Sequence, residues 1–247
     1  MRGLGAPLRA MCMWNETPFT AACHPLPADI DYLRAKWFLE DKPKLKEKNP
    51  LVNLPYIVDG DVVITQTNAC LSHLGRKFSL WGSTDVEVSQ CEQLLSEIYD
   101  LRGEMTRMAY DKNFETEAAR KVVKRQKKNT NLSKLETWLD HSPLFSETTP
   151  FLVGGHATAP DFHLFEMLDQ YNHLASKVLK EDLFDCLPKC RLFYQAWLQH
   201  PKMQRYLTSK LHALPFNNLG ASFGSAPNGE KYVVGESTPH DDVSGIY

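Results

Sequence analysis

The sequence predicts two domains of different class, an α/β domain over residues 1–81 and an all-helical domain over residues 82–216, followed by a tail over residues 217–247. In the first domain, apolar residues fall in short runs bounded by turn residues, which is typical of strands joined by tight turns. After Gly82 the apolar residues recur every three or four positions, as in amphipathic helices. The tail is rich in Gly, Ser, Asn and Pro, so we expect it to run over the surface or to be disordered.

The α/β domain contains three predicted strands and a predicted helix. Pro18–Cys23 is a short strand-like run, and Tyr56–Val58 and Val62–Thr65 flank an Asp-Gly pair that favours a two-residue hairpin. A helix is predicted directly after this hairpin, because Thr67 or Asn68 can cap it and the apolar residues that follow keep helical spacing.

The all-helical domain opens with a long amphipathic helix, predicted from about Thr84 to Tyr110, and continues with a second from about Glu117 to Leu139. Two further helices are expected after Pro160 and Pro188.

A strong start signal precedes the third helix of this domain. Thr158 can accept a hydrogen bond from the amide of Asp161, the Asp161 carboxylate can reach back to the amide of Thr158, and Pro160 fits the first turn. We therefore predict that this cap nucleates a core helix from Asp161 to Val178.

The composition excludes several classes of function. The chain carries 28 basic and 30 acidic residues, a formal net charge of -2, so no overall field favours nucleic acid or an anionic membrane. It has neither an apolar run of about 18 residues nor the apolar core of a signal peptide, so we expect a cytoplasmic protein. One basic cluster is interpreted as a solvated helix face; its members are Arg120, Lys121, Lys124, Arg125, Lys127 and Lys128.

Cysteine and histidine spacing predicts neither a disulfide framework nor a metal site. The six cysteines show no C-x-x-C pair, and we expect them mostly to be buried as small hydrophobic residues. The nine histidines are scattered without an H-E-x-x-H arrangement, so no metal is expected.

Two short motifs can carry binding chemistry. Pro55 stands at the mouth of a predicted strand, where a cis peptide bond would expose the backbone of Leu54 to a peptide ligand; the alternative is a plain turn into the strand. Gln66, Thr67 and Asn68 begin a helix whose unpaired amides can hold a carboxylate; the alternative is an ordinary helix cap.

Together with their surroundings, these motifs resemble the cytosolic glutathione transferases, most closely the mu class. Arg2-Gly3-Leu4 matches the start of the family's first helix, Trp37 its glycyl-side tryptophan, and Gly155–Asp161 its helix-capping motif, so that the resemblance extends to Phe216. It implies a thioredoxin-like first domain, an all-helical second domain and a homodimer. It also implies detoxification by conjugation of reduced glutathione to electrophilic small molecules.

The resemblance also implies roles for particular residues. Leu54 and Pro55 would present backbone to the cysteinyl part of glutathione, and Gln66 and Thr67 would hold the γ-glutamyl carboxylate. Asp100 would reach across the dimer to the γ-glutamyl amine. The remaining contacts would be Trp37, Asn53 and either Lys42 or Lys44 at the glycyl end, with Tyr110 facing the electrophile and Phe216 closing its pocket.

The sequence departs from this family at its start. In the family a hydroxyl on the first strand, just before the Arg-Gly-Leu segment, activates the thiol, whereas here Met1 directly precedes that segment. We therefore assign no catalytic residue and expect an incomplete version of a longer transferase, with a reorganised first domain as the alternative. Cys12 lies inside the first predicted helix and is not expected to substitute. A non-catalytic binding or structural protein is the second hypothesis for function.

Overall fold

The computed structural model describes residues 1–22, 35–218, 220–225 and 245–247. Cys23, the predicted end of the first strand, lies outside these ranges. Within them, no helix combines the length and the apolar character needed to cross a membrane.

The first part of the chain alternates helices and short strands, as predicted. A single 3-10 turn at Gly3–Gly5 precedes the first helix. A π-helical segment at Ala35–Asp41 leads directly into the second helix. The elements in chain order are α1 Ala6–Trp14, β1 Thr20–Ala21, α2 Lys42–Lys46, β2 Tyr56–Asp59, β3 Val62–Thr65 and α3 Thr67–Lys77.

The strands form two separate antiparallel pairs. The predicted hairpin is confirmed as β2 and β3, but Asp59 pairs with Val62, so its turn residues are Gly60 and Asp61 rather than the Asp-Gly pair. The second pair was not predicted: β1 pairs with β4, Gly245–Ile246, from the end of the chain, with Thr20 opposite Ile246. The described strands therefore form two short ribbons instead of one sheet.

From residue 85 to residue 207 the chain is mainly helical, with a loop over residues 142–158. The predicted single helix over 117–139 is wrong, because Thr130 adopts a non-helical backbone, with φ -132° and ψ -143°, and separates two helices. Beyond the break, the side chain of Gln126 donates to Asn131 and accepts from the amide of Leu132. The helices are α4 Asp85–Ala109, α5 Thr116–Asn129, α6 Asn131–His141, α7 Ala159–His173 with a π-helical extension Leu174–Leu179, α8 Pro188–Gln199 and α9 Pro201–Leu207.

The predicted cap at the start of α7 forms and is buried. The Asp161 carboxylate accepts from the amide and hydroxyl of Thr158, both at 2.7 Å, and from the amide of Leu152 at 2.8 Å. Asp161 has no exposed surface. Because buried donors are costly to leave unpaired, this carboxylate fixes both the helix start and the loop before it.

One core connects the first part of the chain to the helices. Trp14 of α1 stacks on Trp197 of α8 with ring centroids 5.2 Å apart and meets the edge of Phe162 of α7 at 5.4 Å. At the junction after residue 81, a Cβ on Gly82 would lie 2.3 Å from the backbone of Glu87 and Val88. Only glycine fits this approach without displacing the first turn of α4.

The start of the tail is buried, which corrects the expectation that it runs over the surface. Ala221 and Phe223 have no exposed surface, and the amide of Ser222 donates to the carbonyl of Ala109 at 2.7 Å. Residues 220–225 therefore close the C-terminal end of α4. Residues 226–244 lie outside the described part of the chain.

Candidate functional site

A cavity of about 860 Å³ lies between the two strand pairs and reaches α1 and α4. Its walls are largely apolar, and they come from both strand pairs. They include Leu8, Cys12, Ala21, Ile57, Leu74, Phe78, Tyr110 and Ile246, with Leu54 and Pro55 also part of the lining. A pocket of this size and character suits a small organic ligand.

The loop before β2 brings exposed backbone to this cavity. The Leu54–Pro55 peptide bond is cis, as the sequence suggested, and the Leu54 side chain is 39% exposed. Thr65 of β3 anchors the preceding residue, because its hydroxyl accepts from the amide of Asn53 at 3.1 Å and lies 2.9 Å from the Asn53 carbonyl. The buried Thr65 thus sets the position of the whole loop.

Trp37 and Lys42 lie together beside β2. Trp37 is buried and stacks on Tyr56, with ring centroids 5.7 Å apart. The ammonium of Lys42 lies 5.9 Å from the centre of the Trp37 ring, whereas Lys44 is exposed on α2. Of the two lysines considered from the sequence, Lys42 is therefore the one held against Trp37.

The start of α3 differs from the sequence prediction. The helix begins at Thr67, its capping position is Gln66, and no side chain caps it, so the prediction that Thr67 or Asn68 is the cap is wrong. Gln66 has φ 71° and ψ 125°, and its side chain is exposed, while Thr67 is buried. The first amides of α3 therefore have no side-chain acceptor at the capping position.

The structure separates the other predicted residues. Asp100 is exposed on α4, and Tyr110 is half-buried in the cavity wall, where its hydroxyl accepts from the amide of Asn218 at 3.1 Å. Phe216 is buried behind Arg2, whose guanidinium carbon lies 4.7 Å from the ring centre, and it does not line the cavity.

A buried ionic cluster near the cavity was missed by the sequence analysis. The Arg2 guanidinium lies 2.6 Å from a carboxylate oxygen of both Glu166 and Asp169 on α7. Burial opposes ionisation of Asp169, but Arg2, His212 and Tyr194 outweigh it and hold its pKa well below its usual range. The only available signal was two acids three positions apart on a largely apolar helix.

Burial raises the pKa of the thiol and phenol groups in the cavity wall, which favours their neutral forms. Burial raises the pKa of Cys12 to about 12, in line with the expectation that it does not act as a nucleophile. Burial also raises the pKa of Tyr110, against the Asn218 amide, and that of Tyr56, with Asp41 adding to the effect. Among the described residues, no group of three or more His, Cys, Asp or Glu side chains can hold a metal ion.

The basic cluster on α5 is engaged in ion pairs. Arg120 pairs with Glu117 and Glu181, and Lys127 lies 2.7 Å from Asp185. Lys127 is buried, so the interpretation as a solvated helix face is wrong at this position, whereas the other members of the cluster are partly or fully exposed.

Two family models match the chain. A glutathione S-transferase N-terminal domain matches residues 29–76, and a glutathione S-transferase C-terminal domain matches residues 99–210.

Similar proteins match over most of the chain. Glutathione S-transferase 2 of Gallus gallus is 31% identical over 170 residues, which cover 69% of this chain and 71% of the relative. Glutathione S-transferase Mu 6 of Mus musculus is 29% identical over 226 residues, which cover 91% of this chain and 95% of the relative. The solved glutathione S-transferase Blo t 8 has a TM-score of 0.71 at 23% identity, covers 90% of this chain and 96% of its own, and shows the fold.

Proposed function

Because the chain belongs to the glutathione S-transferase family, we propose that it joins the thiol of glutathione to electrophilic small molecules, as a detoxifying enzyme of the cytoplasm. In this reaction the thiol gives its proton to water, the sulfur forms a bond to the electrophilic carbon, and the leaving group departs with its electron pair. The names of the relatives support a transferase, and the alternative of a non-catalytic protein is not favoured by them.

Glutathione would lie along the edge formed by α2, the loop before β2 and the start of α3. The γ-glutamyl carboxylate would accept from the exposed side-chain amide of Gln66 and from the backbone amides at Gln66 and Thr67, where the helix dipole also favours an anion. The cysteinyl part would pair with the backbone of Leu54, which places its sulfur at the cavity. Trp37, Asn53 and Lys42 would contact the glycyl end, where the Lys42 ammonium can balance a second carboxylate.

The observation that carries this proposal is the backbone of Gln66. A non-glycine residue with φ 71° and ψ 125° is strained by roughly 1–3 kcal/mol, and such strain is retained where a function needs the geometry. The Gln66 side chain is exposed and does not cap α3, so the helix itself gives no reason for glutamine here. A role toward a ligand explains both facts.

Replacing Gln66 by glycine tests this role. Glycine adopts a positive φ readily, so Gln66→Gly should not lower the free energy of unfolding, while loss of the side chain should weaken glutathione binding by about 1–3 kcal/mol. Gln66→Ala should weaken binding equally but keep the strain. Titration calorimetry gives the affinities, and urea melts give the stabilities.

The matched control is Gln93→Ala, a glutamine that is exposed on α4 and away from the cavity. It should change neither the glutathione affinity nor the free energy of unfolding. Unchanged glutathione affinity in both Gln66 variants would contradict the proposed carboxylate site and reduce the start of α3 to an ordinary helix end.

We further propose that the chain forms a homodimer in which Asp100 serves the partner's ligand. The support is that Asp100 and its neighbour Tyr99 are both exposed on α4, with Tyr99 43% exposed, which leaves this part of the helix open to a second copy. Light scattering on a sizing column should give a mass near twice 28.2 kDa. A monomer that binds glutathione as tightly as the dimer would remove the role of Asp100 across the interface.

A further inference from the structure

Most charged side chains in the cavity wall are engaged by described partners; Arg9, for example, donates to the carbonyls of Met1 and Arg2. Arg2 is paired with Glu166 and Asp169, and Asp59 is paired with Lys77 at 2.5 Å. Arg102 of α4 also lines the cavity, but within the described residues it forms no ion pair with a carboxylate. One of its terminal nitrogens donates to the Thr106 hydroxyl, and its buried Nε has no described partner.

Arg102 is therefore a cation with unused donors beside an apolar space. A guanidinium presents five N–H donors, of which the described contacts use one. The nearest acid along α7, Glu166, is already held by Arg2 and by the Gln170 amide at 2.8 Å. Burial lowers the pKa of Arg102, yet arginine stays charged because its ordinary value is so high.

The second group near this end of α4 is a phenol. Tyr110 lies two turns along the helix, lines the same cavity, and has its oxygen occupied by the amide of Asn218. Its hydroxyl proton is then available to a ligand, and Tyr110 and Arg102 together offer donors to an oxygen-bearing ligand. The apolar side chains around them, such as Leu8 and Phe78, strengthen such contacts because they exclude water.

We propose that Arg102 selects electrophiles that carry a carboxylate, by holding that group with its unused guanidinium N–H donors. This inference rests on the proposed function, since it names the class of second substrate for the same cavity. A planar carboxylate matches the fork of a guanidinium, which is why arginine rather than lysine suits this position.

The test compares two unreactive ligands that differ by one carboxylate. The two, 3,5-dinitrobenzoate and 1,3-dinitrobenzene, share a ring and two nitro groups placed meta to each other, so neither nitro group is activated for displacement and their binding to the full chain does not depend on turnover. We expect dinitrobenzoate to bind more tightly. Arg102→Gln should weaken dinitrobenzoate by about 10- to 100-fold and dinitrobenzene by less than about threefold. The affinity of Arg102→Lys for dinitrobenzoate should lie between those of the unchanged protein and Arg102→Gln.

The control is Arg107→Gln, on the same helix but exposed and paired with Glu104 at the surface. It should leave both affinities unchanged. Equal weakening of both ligands by Arg102→Gln, or no weakening of dinitrobenzoate, would overturn the proposal, and circular dichroism melts establish that each variant is folded.

Titration of glutathione into the same proteins separates the two proposals. Dinitrobenzoate binding that depends on Arg102, without glutathione binding, would reject the transferase function and keep the anion site. Glutathione binding together with equal binding of dinitrobenzoate and dinitrobenzene would keep the transferase function and reject the anion site.

Discussion

The helical part of the molecule and the α/β part close their interiors in different ways. In the helices, aromatic rings such as Trp197, Phe162 and Phe193 are almost fully buried, and Asp161 is surrounded by its donors. In the α/β part, the two strand pairs do not join, and a cavity of about 860 Å³ separates them. Stability is thus concentrated in the part that fills its own core, and ligand chemistry in the part that does not.

Filling the gap between the strand pairs should produce the largest effect. A version of the chain extended before Arg2 by a short strand ending in tyrosine should conjugate a chlorinated nitroaromatic about 100- to 1,000-fold faster than the unextended chain. The physical reason is that a preorganised hydroxyl aimed at the sulfur stabilises the thiolate, whose ordinary pKa of about 8.5 leaves it mostly protonated at neutral pH.

The same extension ending in phenylalanine separates the effect of the hydroxyl from the effect of the added strand. It should raise the melting temperature without restoring turnover, because it adds backbone pairing and apolar contacts only. Rates measured at equal folded concentration decide the question. Comparable activity in all three proteins would mean that another group activates the thiol.

Breaking the buried cap of α7 should cost the helical part about 2–4 kcal/mol. Asp161→Ala leaves the amides of Leu152 and Thr158 without their acceptor in the interior, which is more costly than losing a cap in water. The matched variant is Thr84→Ala at the exposed cap of α4, with an expected loss of about 1 kcal/mol. Urea melts measure both losses, and equal losses would show that burial adds nothing. Glutathione affinity should be unchanged in the folded fraction of each variant.

The buried histidine of α7 should make the helical part sensitive to acid. Burial, reinforced by Arg102, lowers the pKa of His163 to about 3, so the folded protein keeps it neutral while the unfolded chain takes up a proton below about pH 6.5. The contribution of His163 to the free energy of unfolding should therefore fall as the pH drops from about 6.5 towards 3, against an opposing contribution from Asp161, whose pKa burial raises to about 7. The loss at pH 5 is about 2 kcal/mol.

Urea melts at about pH 7.5 and 5 test this slope. His163→Phe keeps a ring of similar shape and should remove about 2 kcal/mol of the difference between the two pH values, whereas His141→Phe, at an exposed site, should leave it unchanged. A wild-type difference that persists in His163→Phe would assign the acid sensitivity to other groups.

The sequence predicts elements that depend on neighbours along the chain. The long helix α4 follows from its apolar stripe, and α7 follows from the Thr158 and Asp161 pair, because each signal lies within or beside the element it defines. The hairpin of β2 and β3 is predicted for the same reason.

The features that the sequence did not reveal depend on distant contacts. The pairing of Thr20 with Ile246 joins opposite ends of the chain, and the buried start of the tail is explained by its contact with Ala109. The break at Thr130 has no Pro or Gly to announce it. In the site, the strained backbone of Gln66 and the unbalanced charge of Arg102 appear only when their surroundings are known.

The contact of Arg2 with α7 also governs the order in which the protein can be completed during synthesis. Glu166 follows Arg2 by 164 positions and is therefore synthesised well after it. At about 5–20 residues per second, that separation corresponds to roughly 8–33 s, in which Arg2 has no buried carboxylate to receive it. Helix α1 also waits for Phe162 and Trp197 to cover Trp14. The contacts that bury Arg2 and Trp14 therefore form only after α7 and α8 have been made.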